Sequence, residues 1–490
     1  MHKLIKLTII LVFLLAVISL LTQYHGSTDI TEYKGVAKFF AGSYNAKIRA
    51  SHSIVYGLIH APLLIIFPNF LVMKIANILC MILIILSVYY ISGKNKRALL
   101  LMVVSPIVWY MGPWIAPVQF SSLLFLWGFF FIKKFEKDSK KSYLIYSGVL
   151  IGLSWAFWNT VIFVLFFFLI CFFYNKNINH FVIFLFSVIL GLSPLLILDQ
   201  IFYGFMFYSS TKFFFGVITT IFYGSIYLGQ DMMLNSIFKY ITSIFTIPFF
   251  TYILIALPFF AYTLFSKKFF QKNKRTIIFL TLFFLFLLNN PQIRYILFLW
   301  PILIIHLSKS LNKKQFEIQF IIFAIISLLV INPYIIQIKY TTNAKELTSL
   351  FSNFGEWKIS ALHQEQMIHQ DLEELSKEFP NSTFIVGNNL DDYTCLANIY
   401  WGYEIKEFVS IQDYNLFLKN DSSLFYKKIK FTPKIQDRRQ VWIAGGLDKS
   451  ENDNTDYNSI NLGIGINEPI NLTNFTLVKN YSILYLSKKT

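Results

Sequence analysis

Apolar residues run along this chain in long unbroken blocks rather than in the short alternations of a soluble fold. A membrane helix needs roughly 20 apolar residues at about 1.5 Å rise each. Segments that meet or approach this length lie at about 5–23, 70–91, 98–112, 117–132, 142–157, 160–174, 181–201, 241–265, 276–289, 295–308 and 317–337. The pattern predicts an all-α polytopic membrane bundle of about 11 transmembrane helices over residues 1–337, with long loops at 24–69 and 202–240. The run at 53–67 is short, carries His60 and Pro62, and reads as an interfacial helix lying on the outer surface. Tyr33, Ala37 and Phe40 recur at helical spacing and predict a further surface helix starting near Asp29.

From about residue 340 the pattern changes to that of a small α/β domain, 338–490. Residues 363–379 read as a helix, and Thr383–Gly387, Gln440–Ala444 and Tyr481–Leu486 read as strands. Asn381, Asn420, Asn471, Asn474 and Asn480 each begin an N-x-S/T tripeptide, which is compatible with an external domain.

Charge orients the bundle. Residues 1–337 hold 27 Lys/Arg against 7 Asp/Glu, whereas 338–490 hold 16 against 19. The net charge of +17 thus belongs to the loops between membrane helices and gives no reason to expect a nucleic-acid partner. Lys3, Lys6, Lys176 and the clusters 94–97, 133–141, 267–275 and 309–314 contain 19 of those 27 cations, all on one side if the N-terminus is cytoplasmic. The positive-inside rule then places the N-terminus in and the C-terminal domain outside the cell membrane. The first apolar run lacks a small-residue cleavage site after it and reads as a retained membrane helix rather than a removed signal. Cys80 and Cys171 lie in apolar runs and Cys395 is alone, so neither a disulfide framework nor a zinc site is expected.

Of the seven membrane-part carboxylates, Glu136, Asp138 and Glu317 fall among cytoplasmic lysines, and Asp29, Glu32, Asp199 and Asp231 fall on the outer side. None is placed mid-bilayer, which counts against an ion-coupled transporter. Asp29 lies just beyond the first helix, with Glu32 three residues on, so the two can share a face. Thr28 or Asp29 capping the surface helix accounts for the same position, and a cap and a catalytic carboxylate are compatible.

The order Asp29…Tyr33…Ala37, then His52-Ser53-Ile54-Val55-Tyr56-Gly57-Leu58, then Ser105-Pro106 closing an outward helix, then Asp199 to Phe207, then Arg294-Tyr295-Ile296-Leu297-Phe298-Leu299-Trp300-Pro301 resembles the GT-C superfamily of polytopic membrane glycosyltransferases. The protein mannosyltransferase and aminoarabinose transferase branch is the most similar, over about residues 1–310. The resemblance implies an inverting glycosyltransferase that takes a sugar from a polyprenyl-phosphate-linked donor on the outer side of the membrane. The acceptor would be a glycan, lipid or protein. An Asp-x-Asp in the first loop is missing, as is the Trp-Trp-Asp-Tyr-Gly motif of the oligosaccharyltransferase branch. No divalent metal is therefore called for, although none is excluded.

Such a transfer leaves negative charge on the donor phosphate and a proton on the attacking acceptor hydroxyl. Arg294 offers a planar fork for the phosphate, with Tyr295 and Lys212 beside it as candidates, and Lys74 and Lys239 as weaker ones. A snorkelling side chain at a helix end is the alternative reading of Arg294. Asp29, then Glu32, are the candidate bases. His52, Tyr56, Asp199, Tyr203 and Asp231 are candidates for binding the acceptor or the sugar, and His60 for a sugar hydroxyl; a lone histidine is more often structural. The rival readings are a transporter or flippase for a lipid-linked glycan and a non-enzymatic membrane assembly protein.

Overall fold

A computed structural model describes residues 2–22, 30–42, 53–67, 69–173, 178–223, 267–287, 293–339, 359–380, 382–387, 405–411, 414, 418, 457–466 and 468–490. The helices in chain order are α1 (His2–Leu21), α2 (Ile30–Phe40), α3 (Ile54–Ile66), α4 (Leu71–Ile91), α5 (Lys96–Val103), α6 (Pro106–Met111), α7 (Val118–Asp138), α8 (Lys141–Phe157), α9 (Val161–Phe173), α10 (Ile178–Tyr203), α11 (Tyr208–Tyr223), α12 (Lys267–Leu287), α13 (Ile293–Ile296), α14 (Trp300–Ser310), α15 (Lys313–Lys339) and α16 (Ile359–Glu378). Five described stretches are long and apolar enough to cross a membrane unaided: Leu4–Leu21, Leu71–Ile91, Val118–Asp138, Ile178–Tyr203 and Lys313–Ile331. The expected span 241–265 and the expected strand Gln440–Ala444 lie outside the described residues.

The surface helix expected near Asp29 is α2, and the interfacial run is α3. They pack so closely that a Cβ on Gly57 would stand 2.2 Å from Val36 Cγ1 and 2.9 Å from the Ala37 nitrogen. Three expectations need correction. The run 295–308 is not one span but the short α13, a turn at 297–299 and α14. The run 98–112 is two short helices, because Pro106 has no N–H to continue the ladder. The carbonyls at the break take side-chain donors instead: Trp109 Nε1 to Val103 O at 2.8 Å and Ser327 Oγ to Val104 O at 2.7 Å. The supposed loop 202–240 holds a helix, α11. Gly204, at φ +72°, turns the chain sharply after α10 so that this helix can start.

Packing among the membrane helices relies on small residues and phenylalanine. A Cβ on Gly152 would lie 2.1 Å from Val188 O, and one on Gly191 2.1 Å from Val149 O, so α8 and α10 meet backbone to backbone. Ser147 Oγ donates to Gly128 O at 2.8 Å and ties α8 to α7 on its other side. Phe125 meets Phe298 at 4.9 Å, and Phe168 meets Phe172, Phe184 and Phe279 at 4.7, 5.8 and 5.8 Å, which joins α7, α9, α10 and α12 to the turn before α14. Gly152→Ala should destabilise the detergent-solubilised protein by about 1–3 kcal/mol, the usual cost of overpacking. Its thermal unfolding midpoint against wild type checks this.

The tail is an α/β unit, as the pattern predicts. Strands β1 (Ser382–Val386), β2 (Ile405–Ser410), β3 (Leu462–Ile466), β4 (Phe475–Asn480) and β5 (Leu484–Lys489) form one sheet in the order β2-β1-β3-β5-β4. β1 is parallel to β2 and β3, and β5 is antiparallel to β3 and β4. Phe384 and Val386 join Ile368, Leu372 and Leu375 of α16 in one core, while Ile385 points to the other face with Ile411, Tyr414 and Ile460. Asp371 of α16 is 3% exposed; its carboxylate accepts the backbone N–H groups of Ser482, Ile483 and Leu484 at 3.2, 2.7 and 2.8 Å and the Ser482 hydroxyl. One side chain thus fastens the β4–β5 turn to the helix. Nearby, Lys479 and the Tyr481 hydroxyl bond Glu378 and hold its carboxyl below the usual range.

Candidate functional site

The buried lysines and arginine of the bundle, Lys34, Lys74, Lys212 and Arg294, lie near the start of α4, on α2, on α11 and on α13, with several buried polar groups beside them. Two groups form there. In the first, Lys74 is fully buried and donates to the carbonyl of Thr22 at the end of α1. Lys34 of α2, 1% exposed, lies with its Nζ 4.9 Å from the centre of the Phe70 ring. Tyr56 is fully buried; its hydroxyl takes the Asn77 amide, and its ring meets Tyr33, His60 and Phe120 at 5.8, 4.2 and 5.6 Å. Asn77 also donates to Met73 O at 2.8 Å and accepts Ala116 N at 3.4 Å, which joins α3, α4 and the α6–α7 corner. His60 Nδ1 lies 2.7 Å from Tyr56 O.

In the second group, Arg294 lies in the short α13 and is 8% exposed, its guanidinium 5.4 Å from the Tyr295 ring centre. Tyr295 meets Trp158 edge to face at 5.8 Å. Trp158 follows the last residue of α8, and its indole N–H is clipped by the Thr160 hydroxyl. Asn159 Oδ1 accepts the Ser210 hydroxyl at 3.4 Å. Asp199, fully buried at the end of α10, accepts Ser209 N at 2.9 Å and Ser209 Oγ at 2.6 Å, which anchors the first turn of α11. Lys212, 4% exposed, lies one turn farther along α11, and Tyr203 stacks on Tyr208 at 4.5 Å across the corner. Phe202 of α10 touches Phe39 and Phe40 of α2 at 5.8 and 5.7 Å, so the two groups adjoin.

Arg294, Tyr295, Lys212, Asp199 and Tyr203, named from the sequence, are thus brought to one end of the bundle. Tyr56 is held by Asn77 in a packed aromatic cluster, and Asp199 by Ser209, so both have structural work there. Asp29, His52 and Asp231 lie outside the described residues, and Glu32 is placed only as a backbone position on α2. Sequence reasoning missed Trp158, Asn159 and Lys34. A sign was available for Lys34, since it lies beside Tyr33 on a helix whose apolar positions face inward. Four buried cations in an apolar bundle are expensive, several kcal/mol each before compensation. Their concentration at one end suits an anionic ligand. Among the described residues no three His, Cys, Asp or Glu side chains cluster as metal ligands.

Two crystal structures of ArnT from Cupriavidus metallidurans are similar to this chain in overall fold. The one bound to undecaprenyl phosphate matches with a TM-score of 0.56 at 9% sequence identity, covering 99% of this chain and 98% of that chain. The apo structure matches with a TM-score of 0.56 at 9% identity, covering 100% and 98%. No protein-family model and no curated protein matches the chain in sequence. The protein has the fold of these ArnT structures, a bundle with several helices apolar enough to cross a membrane and a small sheet domain. The likeness runs along the whole chain.

Proposed function

We propose that this protein is an inverting membrane glycosyltransferase that moves a sugar from a polyprenyl-phosphate-linked donor to an acceptor on the outer side of the membrane. The observation that carries the reading is the burial of Arg294 and Lys212 at the same end of an ArnT-like bundle as Lys34 and Lys74. ArnT itself has been crystallised with undecaprenyl phosphate. Residues 1–337 form the catalytic membrane domain, with about eleven spans, the N-terminus in and the C-terminus out. Residues 338–490 form an extracytoplasmic domain that positions the acceptor or steadies the loops.

In this mechanism the phosphate of the donor lies at the membrane surface against Arg294, whose fork pairs two of its oxygens, with Lys212 adding charge. The acceptor hydroxyl attacks the anomeric carbon from the face opposite the phosphate. The carbon–oxygen bond to the phosphate breaks, its electron pair stays on the phosphate, and the proton of the attacking hydroxyl passes to Asp29. Glu32 is the alternative base. Burial matters because a cation fixed in a dry, low-dielectric setting stabilises developing charge without reorganising.

Mass spectrometry of surface glycoproteins and glycolipids tests this in cells that lack the gene and carry either wild type or Asp29→Asn, expressed to equal levels. Wild type should restore one sugar that the deletion loses, and Asp29→Asn should not. Restoration by the Asp29→Asn variant would remove Asp29 from the chemistry and leave it as a cap. A deletion that changes no glycan would remove the glycosyltransferase reading itself.

A further inference from the structure

The α8–α9 corner places a tryptophan and an asparagine next to each other at this end of the bundle. Asn77 shows what a structural asparagine looks like here: its nitrogen donates to Tyr56 and Met73, and its oxygen accepts Ala116 N. Asn159 is 5% exposed against 1% for Asn77, and the hydrogen bond that its side chain makes among the described residues is the 3.4 Å contact its oxygen accepts from Ser210. Its amide nitrogen has no acceptor among the described residues. That donor is therefore available to a ligand or to water.

The surroundings say what the use is. Trp158 leaves α8 in an extended conformation, φ −148° and ψ 112°, and the Thr160 hydroxyl fixes the orientation of its indole. That ring abuts Tyr295, which carries the Arg294 guanidinium on its other contact. On the opposite side Asn159 touches the Ser209–Ser210 start of α11, one turn before Lys212. The corner therefore lies between the two cations assigned to the donor phosphate. A group attached to that phosphate would lie within reach of an aromatic ring and an amide donor, the pair of features that binds a hydroxylated ring.

We propose that the Trp158–Asn159–Thr160 corner reads the donor's sugar, with the Asn159 carboxamide donating to a ring hydroxyl and Trp158 bounding the ring. Asn159 is then a specificity-determining residue that touches the substrate. This rests on the glycosyltransferase reading above. It separates two tasks: Arg294 and Lys212 hold the phosphate whatever it carries, and Asn159 distinguishes one sugar from its epimer.

The test uses the full-length protein in detergent and four donors: undecaprenyl phosphate carrying glucose, galactose, mannose or arabinose. Consumption is followed with the envelope fraction of cells that lack the gene as acceptor. Wild type should favour one donor. Asn159→Ala should lower kcat/KM for that donor by about tenfold, the worth of one hydrogen bond, and bring its ratio to the epimer close to one. Binding of bare undecaprenyl phosphate and the thermal unfolding midpoint should stay at wild-type values. Asn159→Asp, which has no amide donor but nearly the same shape, should behave like the alanine variant. Unchanged donor ratios in both variants would overturn the assignment, as would an equal loss of affinity for bare undecaprenyl phosphate. If wild type binds undecaprenyl phosphate but consumes none of the four donors, the proposed function falls and this inference with it. That outcome differs from an active wild type with indifferent Asn159 variants.

Discussion

Arg294→Ala is expected to lower sugar transfer about 10²–10³-fold, the usual loss when one preorganised charge-stabilising group is removed. The effect should fall mainly on kcat, because the phosphate gains charge as the bond to the sugar breaks and the guanidinium meets that charge more strongly in the transition state. Arg294→Lys should recover only part of the rate. A lysine keeps the charge but not the planar fork, and cannot stack on Tyr295 as the guanidinium does at 5.4 Å. Steady-state kinetics of the three proteins with one lipid-linked donor give the answer. Full activity in Arg294→Ala would make it a snorkelling residue that merely ends a helix.

The second large effect concerns stability. Asp371→Ala should unfold the C-terminal unit without disturbing the membrane helices. It removes a buried acceptor from four donors at once, three of them backbone N–H groups that have no replacement partner when the turn stays closed. Hydrogen bonds to a charged group contribute about 1.5–3 kcal/mol each and are not additive, so a loss of about 3–5 kcal/mol is expected. That is a large share of the stability of a unit this size. Limited proteolysis of the full-length protein should release fragments from beyond about residue 359 at protease levels that leave wild type intact. Asp371→Asn should lie between the two, because its amide turns one donor toward other donors.

Most of the bundle was legible in the sequence because a membrane helix announces itself by length and composition alone. α1, α4, α8, α9 and α10 begin and end within a few residues of their apolar runs. The departures have local causes. Pro106 divides what hydropathy reads as one span, since side chains from Trp109 and Ser327 can satisfy the freed carbonyls, and no window average sees that. α7 continues past its apolar part to Asp138, where Glu136 pairs with Lys133 at 2.9 Å and with Arg275 of α12 at 3.0 Å. β3 hid behind its glycines: Leu462-Gly463-Ile464-Gly465-Ile466 looks like a loop until Gly465 is seen to admit the Glu468 carbonyl, 1.9 Å from where a Cβ would stand. In the site, Arg294 stood out because it is a lone charge at the rim of apolar helices. Asn159 did not, because an asparagine after a tryptophan at a helix end looks like any other corner. Its distinction is an amide nitrogen with no acceptor among the described residues, a property of the fold and not of the string.

The outer edge of the sheet has a consequence for life in two dimensions. Among the described strands β4 lies at the sheet margin with Leu477 and Val478 exposed, and its pairing with β5 slips register between Leu477 and Lys479. Copies of a multi-pass protein share one plane and meet far more often, and in fewer orientations, than molecules tumbling in solution. A straight, greasy strand margin held at constant height above that plane would zip to its neighbour's and grow into rows. The slip interrupts the regular ladder near the middle of the margin, so that like edges meet out of step.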